Sequence, residues 1–150
     1  MPINRIEAKA AMKALFWEVW KAGTPAVNDG SVIEVLWDNK ENKDAPEPTG
    51  PYARFSIRHE AGPLQTINPR GSRRYKQAGS IIIQLFAPLG QGETRLDLMV
   101  KIIVDGLRGR PCGGGDAVNL RDTNSTEVGR VDGVRWACFV AVDFDYEELG

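Results

Sequence analysis

The chain has 150 residues, a formal net charge of −1, 42% hydrophobic residues and 26% charged residues. This balance excludes a global field that would recruit nucleic acid or an anionic membrane, and no apolar run approaches the roughly 18 residues that suggest a transmembrane helix. One histidine and two cysteines exclude a disulfide framework and the usual zinc ligand sets.

The length predicts one domain, residues 1–150, with a core large enough to need no covalent staples. The first residues lack the charged-then-apolar order of a signal peptide, so synthesis in a reducing cytoplasm is the expectation.

Asn4 to Ala22 reads as a helix. Asn4 is its cap and Glu7 stands at the reciprocal capping position. Ala8, Met12, Leu15, Phe16 and Val19 form a stripe at helical spacing. Trp17 and Trp20 widen it, either as core residues or as an anchor for a subunit contact. Gly23 is the expected left-handed terminator. A turn over Val27 to Gly30 leads to a short strand, Ser31 to Trp37. Asp38 to Pro51 is a polar surface loop. Tyr52 to Glu60 alternates as a strand, with Ala53, Phe55, Ile57 and His59 on one face and Tyr52, Arg54, Ser56 and Arg58 on the other. Ala61 to Ser72 is a long hairpin connection.

Ser80 to Ala87 is the strand around which the rest is arranged. Ile81, Ile83 and Leu85 occupy one face; Ile82, Gln84 and Phe86 occupy the other. Two apolar faces predict a central strand covered on both sides, ended by Pro88. A second helix over Glu93 to Arg108 buries Leu96, Val100, Ile103 and Leu107, with Met99 beside them. Thr94 and Asp97 have capping-box spacing. Gly109 and Pro111 stop the helix, and Gly113 to Gly115 reads as a flexible link. Ala117 to Arg121 is a short strand. Thr126 to Val131 and Val134 to Tyr146 form a final hairpin turned by Asp132-Gly133, after which the acidic tail is expected to fray. The order predicts an α+β fold: one mixed, mostly antiparallel sheet of four to six strands with two helices packed on it.

The residues offer little catalytic chemistry. His59 lies on the apolar side of a strand and reads as a packed or edge histidine. Cys138 falls on a buried row; Cys112 falls in a loop, open to reaction but with nothing nearby in sequence to acidify it. The Gly109 to Gly115 run lacks the Lys-Ser/Thr ending of a phosphate loop. Asp143, Asp145, Glu147 and Glu148 lack metal-site spacing and read as a solvated acidic edge. No cofactor or metal site follows. The prominent charge feature is a basic group, Arg54, Arg58, Arg70, Arg73, Arg74 and Lys76, set against the acidic end that holds Asp143 and Asp145. A nucleic-acid-binding module is one reading of it. The near-neutral total favours another, in which copies pack head to tail, basic region to acidic region.

Three stretches carry a family resemblance: the helix Ile3 to Trp20; Arg73-Arg-Tyr-Lys-Gln-Ala-Gly79 running into Ser80-Ile-Ile-Ile-Gln-Leu-Phe-Ala-Pro-Leu-Gly-Gln-Gly92 and the helix through Leu107; and the closing strand Val134 to Tyr146. In order and spacing they resemble the tail terminator proteins of long-tailed bacteriophages. The resemblance implies a mixed sheet with flanking helices, assembled as a hexameric ring that caps the tail tube, ends its polymerisation and meets the head completion or connector proteins. It implies no enzyme activity, cofactor or membrane contact, and nucleic acid only in passage through the ring lumen. The implied location is the head-proximal end of the virion tail, after synthesis in the host cytoplasm. The 38–51 and 61–72 loops are the expected contact loops. A neck or head-tail connector protein is the nearest alternative.

Overall fold

The computed structural model describes residues 3–37, 50–60, 74–88, 92–126, 129–130 and 135–149. Helix α1 (Arg5–Gly23) is followed by strands β1 (Glu34–Trp37), β2 (Tyr52–Glu60) and β3 (Arg74–Pro88), and helix α2 (Gly92–Leu107). Strands β4 (Pro111–Cys112), β5 (Val118–Ser125), β6 (Gly129–Arg130) and β7 (Arg135–Leu149) complete the chain. One sheet runs in the order β1-β2-β3-β7-β5-β4, and the two-residue β6 also pairs with β7. Among the described residues, only β1 and β2 pair in parallel; the other ladders are antiparallel. The fold is therefore α+β, a mixed and mostly antiparallel sheet with two helices, as the sequence predicts.

The long strands are longer than their apolar centres. β3 and β7 each span 15 residues and pair without interruption from Arg74↔Leu149 to Pro88↔Arg135. The expected fraying of the acidic tail is not seen through Leu149. Glu147 and Glu148 are held in the ladder opposite Lys76 and Tyr75, and the Glu147 carbonyl also accepts the Ile3 N–H at 2.9 Å. Backbone pairing overrides the polar composition there.

Both helices lie on one face of the sheet. Ala8, Met12, Phe16 and Trp20 of α1 and Leu96, Met99, Ile103 and Leu107 of α2 share a core with Phe55, Ile81, Ile83, Leu85, Val140, Val142 and Phe144. Phe16 sits at the centre of its aromatic part, 4.7 Å from Phe55 and 5.4 Å from Trp20 between ring centroids. The two tryptophans divide: Trp20 is buried and donates its indole N–H to the Ile33 carbonyl at 2.8 Å. Trp17 remains 37% exposed, edge-on to Trp37. Of the β3 residues on the far face, Ile82, Gln84 and Phe86 are half-buried rather than covered.

The Asn4 cap forms, with Oδ1 accepting the Glu7 N–H at 2.8 Å. Glu7 Oε1 accepts from the Asn4 side-chain Nδ2 at 2.7 Å, a side-chain contact in place of the backbone bond of a capping box. Gly23 is not the left-handed terminator the sequence suggests; it has helical angles, and the chain continues into a 3₁₀ turn over Thr24–Val27. Its reason is contact between helices: a Cβ there would lie 2.8 Å from Ile102 Cγ2, and one at Gly106 would collide with Val19. α2 already begins at Gly92, which places Thr94 inside the helix and not at its cap. Gly109 does take a left-handed conformation, φ +69°. The expected glycine link is ordered, as β4 and a 3₁₀ turn over Gly114–Asp116. The expected contact loops fall largely outside the described residues, as does the Asp132-Gly133 turn.

Gly79 stands between His59 and Phe144 in a row across three strands. Neighbouring strands are about 4.8 Å apart, so two side chains flanking a third strand normally do not touch. With no side chain on Gly79, the His59 and Phe144 rings meet at 5.2 Å. A Cβ there would collide with the Arg58 carbonyl oxygen and lie 2.9 Å from Phe144 Cζ. We predict that Gly79→Ala costs about 2–3 kcal/mol in urea unfolding. Gly114→Ala, at a position with open space around it, should change stability by no more than about 0.5 kcal/mol.

Candidate functional site

The face of the sheet opposite the helices carries most of the charged residues that the sequence singles out. Its rows follow from the β2–β3 and β3–β7 registers. Tyr52, Phe86 and Ala137 form one row; Arg54, Gln84 and Phe139 the next. Ser56, Ile82 and Ala141 follow, then Arg58, Ser80 and Asp143, then Glu60, Ala78 and Asp145. Lys76 and Glu147 face each other beyond them.

Two ends of this face differ in character. At the Tyr52 end, Tyr52 stacks on Phe86 at 4.7 Å with the rings 16° apart. Arg135 donates to the Tyr52 hydroxyl at 2.9 Å and lies over its ring, and Arg54 lies over Phe86. Guanidinium groups on aromatic faces are favoured by the ring quadrupole. Phe139, one row along, is 44% exposed; its backbone is fixed by exchange with Thr126, whose N–H donates to the Phe139 carbonyl and whose hydroxyl accepts the Phe139 N–H, both at 2.9 Å. At the other end the groups are polar. Ser80 donates to Asp143 at 2.9 Å.

Asp145 departs from the solvated edge expected for it. It is only 7% exposed, forms an ion pair with Arg121, and accepts from the Asn119 amide at 3.2 Å. Both partners come from β5, and a register shift between Leu120 and Thr123 inserts an extra residue beside it. Such a bulge re-aims side chains, which no pattern within β7 announces. Lys76, Asp116, Asn119, Arg121, Asp145 and Glu147 surround an open polar pocket of about 310 Å³.

Of the eight interface candidates, Arg54, Arg58, Lys76, Asp143 and Asp145 share this one face. Arg74 opens β3 opposite Leu149, and Arg70 and Arg73 lie outside the described residues. The basic and acidic groups are therefore separated in sequence but adjacent in space.

The chemically distinctive groups lie elsewhere. His59, on the core face, has its Nε2 2.7 Å from the Tyr146 hydroxyl and its ring edge-on to Phe144 and Tyr146. Desolvation, then the positive charges of Arg5 and Lys9, push its pKa down to about 4. Desolvation pushes the Tyr146 phenol up, so a neutral imidazole and a protonated phenol share the bond. Cys112 is buried in β4 rather than exposed in a loop, and burial raises it and Cys138 to about 11. Both are poor nucleophiles at neutral pH. Among the described residues no group of three or more His, Cys, Asp or Glu is placed to hold a metal, and no helix is long and apolar enough to cross a membrane.

No family model and no curated protein matches the chain. Among solved structures, 14 chains match. One, designated only by a sequence identifier, is 16% identical with a TM-score of 0.71, covering 96% of this chain and 96% of its own. That likeness establishes the fold across nearly the whole length.

His59 supplies a pH prediction. Its folded-state pKa lies below the ordinary 6.5, so the unfolded chain binds the extra proton first. The stability it contributes is complete above pH 6.5 and lost as pH falls towards 4. In thermal melts, His59→Gln should flatten the fall of Tm between pH 6.5 and 4; a slope unchanged from wild type would refute the assignment.

Proposed function

We propose that this chain is a structural assembly protein of the phage tail terminator kind. In this reading copies form a ring on the end of the tail tube, stop its growth, and present a surface to the head completion or connector proteins. The chain then acts at the head-proximal end of the virion tail. The observation that carries the reading is the outer sheet face. Both helices pack on the opposite side, and the outer face presents Phe139 with Arg54, Arg58 and Asp143 close by. An exposed aromatic beside charged rows is the composition of a docking surface, not of a reaction site. The architecture, a mixed sheet with two helices, is also what the resemblance in the α1, β3 and β7 stretches implies.

The hexameric ring order and the tube and connector partners rest on that resemblance. A connector protein would share the docking surface but meet the portal side and not the tube.

The test is negative-stain electron microscopy of the purified chain mixed with the tail tube protein of the same phage. Tubes polymerised with the chain present should be shorter and carry a ring of density at one end. Tubes of unchanged length with bare ends, together with capture of the chain by portal-side proteins, would transfer the assignment to the connector class.

A further inference from the structure

We propose that Arg5, Lys9 and His59 together form a binding site for one small oxyanion, of the phosphate or sulfate type, where the first turn of α1 lies over β2 and β7. The Tyr146 hydroxyl joins these elements. Its oxygen is 2.7 Å from His59 Nε2 and accepts a hydrogen bond from the Arg5 side chain. A guanidinium only donates, so the phenol gives its own proton to His59 Nε2. The neutral ring therefore carries its proton on Nδ1, where no acceptor among the described residues meets it.

Two cations stand beside that donor. Arg5 and Lys9 are one turn apart on α1, so their side chains leave the same face of the helix. Both act on His59 through their charge. Arg5 is exposed, and Lys9 and His59 are half-buried, so the three groups are open to solvent and not sealed in the core. Among the described residues no carboxylate is ion-paired with either cation. Glu7, in the same turn of α1, is engaged by Asn4. Glu148 of β7 acts on the Tyr146 phenol, and β3 presents Gly79, which has no side chain, between the two rings. A guanidinium, an ammonium and an imidazole N–H thus converge as donors without an acceptor, the chemistry that holds an oxyanion. Two positive charges suit one phosphate or sulfate group. A nucleic-acid strand needs cations repeated along a track, and here they stop at two.

The same arrangement keeps the ring neutral. Burial and the two like charges hold the His59 pKa at about 4. A bound oxyanion offsets Arg5 and Lys9 and gives a protonated ring its counter-charge, so ion binding and proton uptake at His59 favour each other. The ion also ties α1 to the sheet beside the Ile3–Glu147 backbone bond. The site lies on the helix side of the sheet, apart from the outer face, and does not rest on the terminator reading.

The chain has one histidine, so proton NMR of the full chain reads His59 directly. Its ring C–H resonances are followed at pH 7 while sodium phosphate, and separately sodium sulfate, replaces sodium chloride at constant ionic strength. Wild type should show a saturable shift with each. In a pH titration, phosphate should place the His59 midpoint about one pH unit above its value in chloride. Arg5→Gln and Lys9→Gln should each raise the midpoint in chloride, because a repelling charge is gone, yet lose most of the phosphate-dependent rise. Circular dichroism verifies folding at each pH; if acid unfolds the chain, the pH 7 titrations of wild type and variants decide alone. The proposal is overturned if phosphate and sulfate act no differently from chloride, if the shift grows without saturating, or if both variants respond as wild type does. Saturation by a DNA oligonucleotide at about a hundredfold lower phosphate concentration would overturn the assignment to a small ion.

Discussion

The fifteen-residue antiparallel ladder between β3 and β7 is the constraint on which the rest of the structure depends. It joins segments far apart in sequence and fixes the facing of both strands at once. A slip of one residue would send Ile81, Ile83 and Leu85 outward and turn the whole core face to solvent. The same register sets the outer rows: Ser80 beside Asp143, Gln84 beside Phe139, Lys76 beside Glu147. Core and candidate docking surface are two sides of one pairing decision.

The alternation of apolar residues made the facing of each strand legible from sequence, but not that β3 pairs with β7, since the closing strand reads as half of a hairpin with Thr126 to Val131. β2 has the bounds its pattern indicates, and the core rows of β2, β3 and β7 follow from parity alone. What composition concealed was long-range. β3 extends over Arg74 to Gly79 and β7 over Glu147 to Leu149 because each supplies the other's backbone partners, whatever their polarity. β4 and the bulged β5 carry no strong alternation, so Cys112 looked like a loop thiol and Asp145 like a solvated edge. The glycines were read by their commonest local use. Gly23 and Gly79 instead serve close approach, between helices in one case and between aromatic rings across a strand in the other, and no local pattern distinguishes those uses.

The charged residues show the same limit from the functional side. Sequence spacing sorted them into a basic and an acidic region, and the ladder folds the two regions onto one surface. His59, the group that most resembles catalytic equipment, is occupied by Tyr146 and by ring contacts on the core side. Its low pKa is a consequence of burial beside two cations and bears on stability.

The central claim is that the outer sheet face, and not the exposed helix α1, is the docking surface. Hydroxyl-radical footprinting tests it directly, since Phe139 marks the face and Trp17 marks the helix, both partly exposed in the single chain. On assembly, Phe139 should become protected while Trp17 is modified at its original rate. Protection of Trp17 with Phe139 unchanged would contradict the account.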